Sequence, residues 1–178
     1  MQDTLRLTYL AARPFREGLD GRSAQRSARA IRDLVGVAAV AITDADEVLA
    51  YSGAGHRHHG VGDLAVFEVG NAAMQSRGSR ASRSGLVCDR ADCPIGETVA
   101  VPLTVGSEVL GSLILLRREG QSVTLGLLRA AKELARQLAN QLALAEGDIT
   151  REELSRARTV ALRAQISPHF TYNTLTAI

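Results

Sequence analysis

The sequence predicts an α+β fold: one antiparallel sheet flanked by helices, followed by a long carboxy-terminal helix. Three observations predict it. Residues 37–43 and 47–51 are strand-like apolar runs separated by Asp44-Ala45-Asp46, and residues 98–103 and 109–116 form a second such pair around Gly106-Ser107. Each pair reads as a hairpin, and stretches of helical period separate the hairpins rather than link single parallel strands. Residues 122–165 then keep apolar side chains at steps of three and four over a length that exceeds one small domain.

Composition bounds the rest. A chain of 178 residues suits one domain plus a long appended element. Aromatic residues make up only 3%, so the core must come from Val, Leu, Ile and Ala. A net charge of +2 gives no reason to expect a nucleic-acid partner. No apolar run reaches the roughly eighteen residues of a membrane span, and the first ten residues lack the apolar centre of a signal peptide. Two cysteines make no disulfide framework, so a cytoplasmic, reducing setting is expected.

Residues 1–19 are weakly patterned and read as a connector. Asp20 is placed to cap a helix whose apolar face is Ala24, Ala28, Ile31 and Val35, and Gly36 to stop it. Residues 52–62 hold four glycines and three histidines, which makes them a loop. Asp63 is a cap for a second helix carrying Val66, Val69 and Ala73 on one face. Residues 77–84 read as a polar connection, with Arg77, Arg80 and Arg83 on a solvated face. Residues 85–88 read as a short strand, followed by a loop into Cys93-Pro94. Pro102 removes a ladder donor, so its strand should lie at an edge or be bulged there.

The candidate ligand-binding residues of this region are His58, His59, Cys88 and Cys93. Their types suit a soft or borderline metal. The C-x4-C spacing is loose and the two pairs lie far apart in sequence. A structural role therefore ranks first, and no metal is expected. A redox role stays open, since Cys93 before Pro94 sits where a thiol is exposed.

In the long helix, Leu128, Ala131, Ala135, Leu138, Leu142, Ala145 and Ile149 form a seam that predicts a parallel homodimer. After Ile149 a step of five breaks the phase before Leu154, Ala157, Ala161 and Ala164 resume it. The alternative is that the stripe packs on its own domain.

The chain closes on Gln165-Ile166-Ser167-Pro168-His169-Phe170-Thr171-Tyr172-Asn173-Thr174-Leu175-Thr176-Ala177-Ile178. On a helix, Gln165, His169 and Asn173 share a face. A neutral imidazole is a nucleophile at physiological pH, suited to accept a phosphoryl group. The stretch resembles the phosphoacceptor segment of LytS-type sensor histidine kinases. Gln165, Ile166, Pro168, His169, Phe170, Asn173, Thr174, Leu175 and Ile178 match that pattern, and Ser167, Thr171, Tyr172 and Thr176 depart from it. Upstream, Ala41-Ile42-Thr43-Asp44, Gly53-Ala54-Gly55, His58-His59, Cys88 to Cys93-Pro94 and Val101-Pro102-Leu103 are similar to the GAF domain of the same family.

The resemblance implies a GAF-like sensory domain at 20–121, a coiled-coil signalling helix at 122–164 and the start of a phosphoacceptor domain at 165–178. It implies that His169 is the phosphoacceptor and Asn173 its orienting group. ATP and magnesium would serve the full-length kinase, whereas the fragment should need no cofactor and be inactive alone, since no ATP-binding domain follows Ile178. The implied partners are a second copy of the chain, a response regulator and a small-molecule ligand of the GAF domain. The fragment would be cytoplasmic even where the full-length kinase is membrane-anchored. The rival reading is a non-catalytic ligand-binding and dimerisation module.

Overall fold

The computed structural model describes residues 10–83, 86 and 88–165. After a 3-10 turn at Arg13–Glu17 come α1 (Gly21–Val35), β1 (Ala39–Thr43), β2 (Val48–Gly53), α2 (Leu64–Gln75), β3 (Arg80–Ser82), β4 (Ile95–Val105), β5 (Glu108–Arg118) and α3 (Leu125–Gln165). The strands form one antiparallel sheet in the order β2-β1-β5-β4-β3. The predicted fold class is therefore the observed one.

Local chemistry sets the elements. Asp20 accepts the Ser23 amide at 2.7 Å, and the Ser23 hydroxyl accepts the Asp20 amide at 3.0 Å, a reciprocal cap that starts α1. Gly36 ends it with φ 69°, donating its amide to the Arg32 carbonyl. Alternate strand residues face opposite ways. Val40, Ile42, Val99, Val101, Leu113 and Leu115 meet α1, α3 and Phe15 on one face of the sheet. Ala39, Ala41, Ala100, Ile114 and Leu116 meet Val66 and Ala73 of α2 on the other. Gly70 lets α2 lie close to the sheet: a Cβ there would stand 2.3 Å from Ser112 Oγ. That hydroxyl is buried and hydrogen-bonded to Thr43 Oγ1 at 2.9 Å.

Three expectations change. The edge strand is Arg80–Ser82, inside the stretch read as a polar connection, whereas Leu86 and Cys88 lie outside any strand. Three residues with mostly exposed side chains leave no apolar alternation to read, and a short, arginine-bearing edge also discourages pairing with other chains. Pro102 sits in a strand that is not at the sheet edge. β3 reaches only as far as Ala100, however, so the side of Pro102 away from β5 is unpaired. The ladder shifts register just beyond it, between Leu103 and Thr104.

The third change concerns α3. Ala131, Ala135, Leu138 and Leu142 are buried in the chain's own core, and Ala145 is 6% exposed. The coiled-coil seam is, over that span, the stripe by which α3 packs on its own sheet. A period of three and four serves either partner equally well, so the pattern alone does not choose. The core thus extends past 20–121 at both ends, taking in Ala11, Ala12 and Phe15 before it and α3 after it. From Glu146 onward α3 is exposed through Ala161, Ile149 included at 57%. No helix among the described residues is long and apolar enough to cross a membrane.

Candidate functional site

Sheet register brings the two chemically rich loops together. Gly53, at the end of β2, pairs with Ala39, and Ala39 pairs with Leu116 of β5. Ile95, at the start of β4, pairs with Arg118 of β5. The 54–63 loop therefore leaves the sheet at the same end at which the 88–94 segment enters it. Both lie on the α2 side, where Tyr51, Ile95 and Cys93 share one apolar cluster.

His58, His59, Cys88 and Cys93 converge there, with one nitrogen or sulfur atom of each within 4.8 Å of all the others. The two pairs, far apart in sequence, are neighbours in space. His59 is 3% exposed, and its Nε2 faces Cys93 Sγ at 3.3 Å. Its other nitrogen, Nδ1, meets Asp63 Oδ2 at 2.9 Å. Asp63 was legible as a helix cap, and it does accept the Val66 amide at 2.9 Å. Its second role at His59 was not. The i, i+4 spacing of His59 and Asp63 was the signal available. Among the described residues, His58 Nε2 is buried and has no hydrogen-bond partner. Both cysteines are free thiols, each half-buried.

The surroundings hold the histidines in place. The amides of His58 and His59 both donate to the Gly55 carbonyl, at 3.0 and 2.9 Å. Gly55 has φ +83°, and a Cβ there would lie 2.9 Å from His59 Cδ2. The Tyr51 ring stands 5.7 Å from that of His59, and its hydroxyl donates to the Ala54 carbonyl at 2.5 Å. His56, by contrast, is exposed, and its Nδ1 meets the Gly53 carbonyl of its own loop at 3.2 Å.

Burial shapes the protonation of the cluster. It pushes the Cys93 thiol up, and the adjacent Cys88 thiol adds to that. It lowers His58, with His59 beside it acting in the same direction. It raises the Tyr51 phenol well above its ordinary value. A polar cleft of about 450 Å³ opens beside the thiols, lined by Arg83, Leu86, Arg90, Ile95 and Glu97 among others. It borders the cysteine segment but not the histidine loop. Of the arginines read as a solvated face, Arg77 donates to the Ser107 carbonyl at 2.8 Å and Arg80 to Ser76 Oγ at 3.0 Å. His169 and Asn173 lie outside the described residues.

One sheet face thus carries a loop-borne cluster, and the other anchors a helix that leaves the domain. That is the layout of an α+β domain with a loop site on one face of its sheet and an outgoing helix on the other. The chain belongs to the GAF domain family, whose model matches residues 22–146. It is similar to the sensor protein LytS of Staphylococcus epidermidis, at 32% identity over 99% of this chain and 30% of that protein. It is also similar to the sensor histidine kinase/phosphatase LytS of Staphylococcus aureus, at 29% identity with the same coverage. The chain therefore spans about 30% of the length of these relatives. Among solved structures, the phycoerythrobilin-bound GAF domain of a cyanobacterial phytochrome superposes with a TM-score of 0.61 at 15% identity, covering 83% of this chain and 98% of that one. That likeness shows the fold.

Proposed function

We propose that this chain is the sensory and phosphoacceptor part of a two-component sensor histidine kinase. The observation that carries this reading is the similarity to LytS proteins over 99% of the chain, which takes in the Pro168-His169-Phe170 segment as well as the GAF domain. In this reading the neutral His169 imidazole attacks the γ-phosphorus of ATP, a nitrogen–phosphorus bond forms and ADP leaves. Magnesium offsets the phosphate charge, and the nucleotide is held by a part of the kinase outside residues 1–178. Asn173, one turn on, orients the ring. The phosphoryl group then passes to an aspartate carboxylate of a response regulator. The GAF domain supplies the input and α3 carries it to His169. The working unit is a homodimer joined along the projecting half of α3, where Leu154, Ala157 and Ala161 are exposed at helical spacing. The fragment faces the cytoplasm, and the full-length kinase is anchored in the membrane.

The test is phosphorylation of the full-length kinase with γ-labelled ATP. One acid-labile, base-stable phosphoryl group per chain is expected. His169→Gln should abolish it, and Asn173→Ala should slow it by about 100-fold to 10,000-fold. Label that survives acid, or that persists in His169→Gln, overturns the reading and leaves the non-catalytic ligand-binding module in its place.

A further inference from the structure

We propose that His58, His59, Cys88 and Cys93 form a four-ligand site for a single thiophilic divalent cation of the zinc class, which fastens the 54–63 loop to the 88–94 segment. The site stands on geometry and goes beyond the kinase reading. It does not depend on phosphotransfer.

Four observations carry it. The first is compactness. Bond lengths of about 2.0–2.1 Å to imidazole and 2.3 Å to thiolate put tetrahedral ligand atoms roughly 3.3–3.8 Å apart. All four candidate atoms already lie within 4.8 Å of one another, so closure on an ion needs movements of about an ångström. Ligands on opposite irons of a two-iron cluster would stand farther apart than this, which favours one ion.

The second is the state of the histidines. His59 turns Nε2 toward Cys93 while Nδ1 meets the Asp63 carboxylate. A ligating histidine is characteristically held this way, its far nitrogen fixed by a carboxylate that sets the tautomer and orients the ring. The third is the orphaned Nε2 of His58, buried with no partner among the described residues. Such an atom is costly unless something outside the protein's own hydrogen bonds satisfies it, and a metal bond would do so. The fourth is the donor set. Two imidazoles and two thiols suit zinc-class ions better than hard cations such as magnesium or calcium.

Four protein ligands fill the tetrahedron, so the site is a closed clasp rather than a catalytic centre with an open position. Charge balances simply: the cation displaces the two thiol protons, which pass to solvent, and two thiolates with two neutral imidazoles complete the shell. No oxidant or reductant takes part. Cys88 and Cys93 are only half-buried, so the ion has a route in. Arg57 and His56 are exposed and take no part in the cluster.

The 178-residue chain, purified without a histidine tag and under reducing conditions, supplies the test. Elemental analysis should show one zinc per chain, or one should be taken up on titration of metal-free protein with Zn²⁺. Titration with Co²⁺ should give the intense visible bands of tetrahedral cobalt and a thiolate-to-cobalt charge-transfer band, both saturating at one equivalent. Cys88→Ser with Cys93→Ser should lose both bands. Asp63→Asn, which keeps the helix cap, should weaken binding by about 10–100-fold. His56→Ala should bind as the unaltered chain does. Far-ultraviolet circular dichroism identifies any variant that has not folded, and the unaltered chain needs no variant to be informative. Three results would each overturn the proposal: cobalt remaining octahedral, binding below one equivalent, or binding undiminished in the cysteine variant. A Cys88–Cys93 disulfide forming in preference to metal uptake by the reduced chain would do the same.

Discussion

The Asp63 carboxylate is shared between two neighbours: Oδ1 accepts the Val66 amide at 2.9 Å and Oδ2 meets His59 Nδ1 at 2.9 Å. One side chain thus starts α2 and fixes the histidine four residues before it. The two roles separate by substitution. Asp63→Asn should retain the cap, since Asn caps as well as Asp, and disturb only the histidine. Asp63→Ala should also lose the cap, costing about 1 kcal/mol. Urea unfolding of the two variants measures the difference, and equal stability would show that the cap contributes nothing here.

Gly55 is the second test of the loop. At φ +83° any side chain is strained by roughly 1–2 kcal/mol, and a Cβ would press on His59 Cδ2 at 2.9 Å. Gly55→Ala should lower the unfolding midpoint and displace the His59 imidazole, visible as a shift of its ring resonances. An unchanged ring signal with unchanged stability would contradict the packing described.

The two halves of α3 should respond differently to the same kind of change. Leu138 is fully buried on its own sheet, and Leu154 is 51% exposed. Leu138→Ala should destabilise the domain by about 2–5 kcal/mol. Leu154→Glu should leave domain stability within about 0.5 kcal/mol and shift the proposed dimer toward monomer by light scattering. If Leu138→Ala instead yields a stable monomer, the seam serves association after all.

Acid should weaken the domain at α1. The Ser23 amide holds the Asp20 carboxyl below its ordinary value of 3.8. A carboxyl depressed in the folded state contributes stability above its unfolded pKa, and that contribution is lost as pH falls through the folded pKa. Between about pH 5 and pH 2, the unaltered chain should therefore lose stability more steeply than Asp20→Asn, whose amide caps without titrating. Parallel pH profiles of the two unfolding midpoints would refute this.

Much of the fold could be read before it was seen, because its signals are local. Asp20 and Gly36 bracket α1 by cap chemistry that acts over four residues, and both hairpins carry their turns in sequence. The edge strand Arg80–Ser82 could not be read, since three residues with a mostly exposed face carry no period. Nor could the true partner of Leu138 and Leu142, because a helix stripe records that something covers it and not what. The cluster was half legible. Each of His58, His59, Cys88 and Cys93 was singled out by type. Their meeting depends on Gly53, Ala39, Leu116, Arg118 and Ile95 stacking at one end of the sheet, which is a matter of strand order and register. Asp63 was hidden by its own success as a cap.

The division of the core into two faces has a mechanical consequence. The cluster lies over the α2 face, and α3 is seated on the opposite one. β4 is common to both, with Ile95 and Ala100 facing the cluster side and Val99 and Val101 facing α3. Two links join the cluster side to α3: β4 itself, and the linker before the helix, where the Glu119 amide donates to the Pro94 carbonyl at 3.1 Å. Any shift of the 88–94 segment that tilts α3 would be amplified along its length. Residues 146–165 extend the helix by about 30 Å past its last buried turn, so a tilt of about five degrees swings the far end by roughly 2.6 Å. The domain is geared as a lever: stiff and short on the sheet, long beyond it.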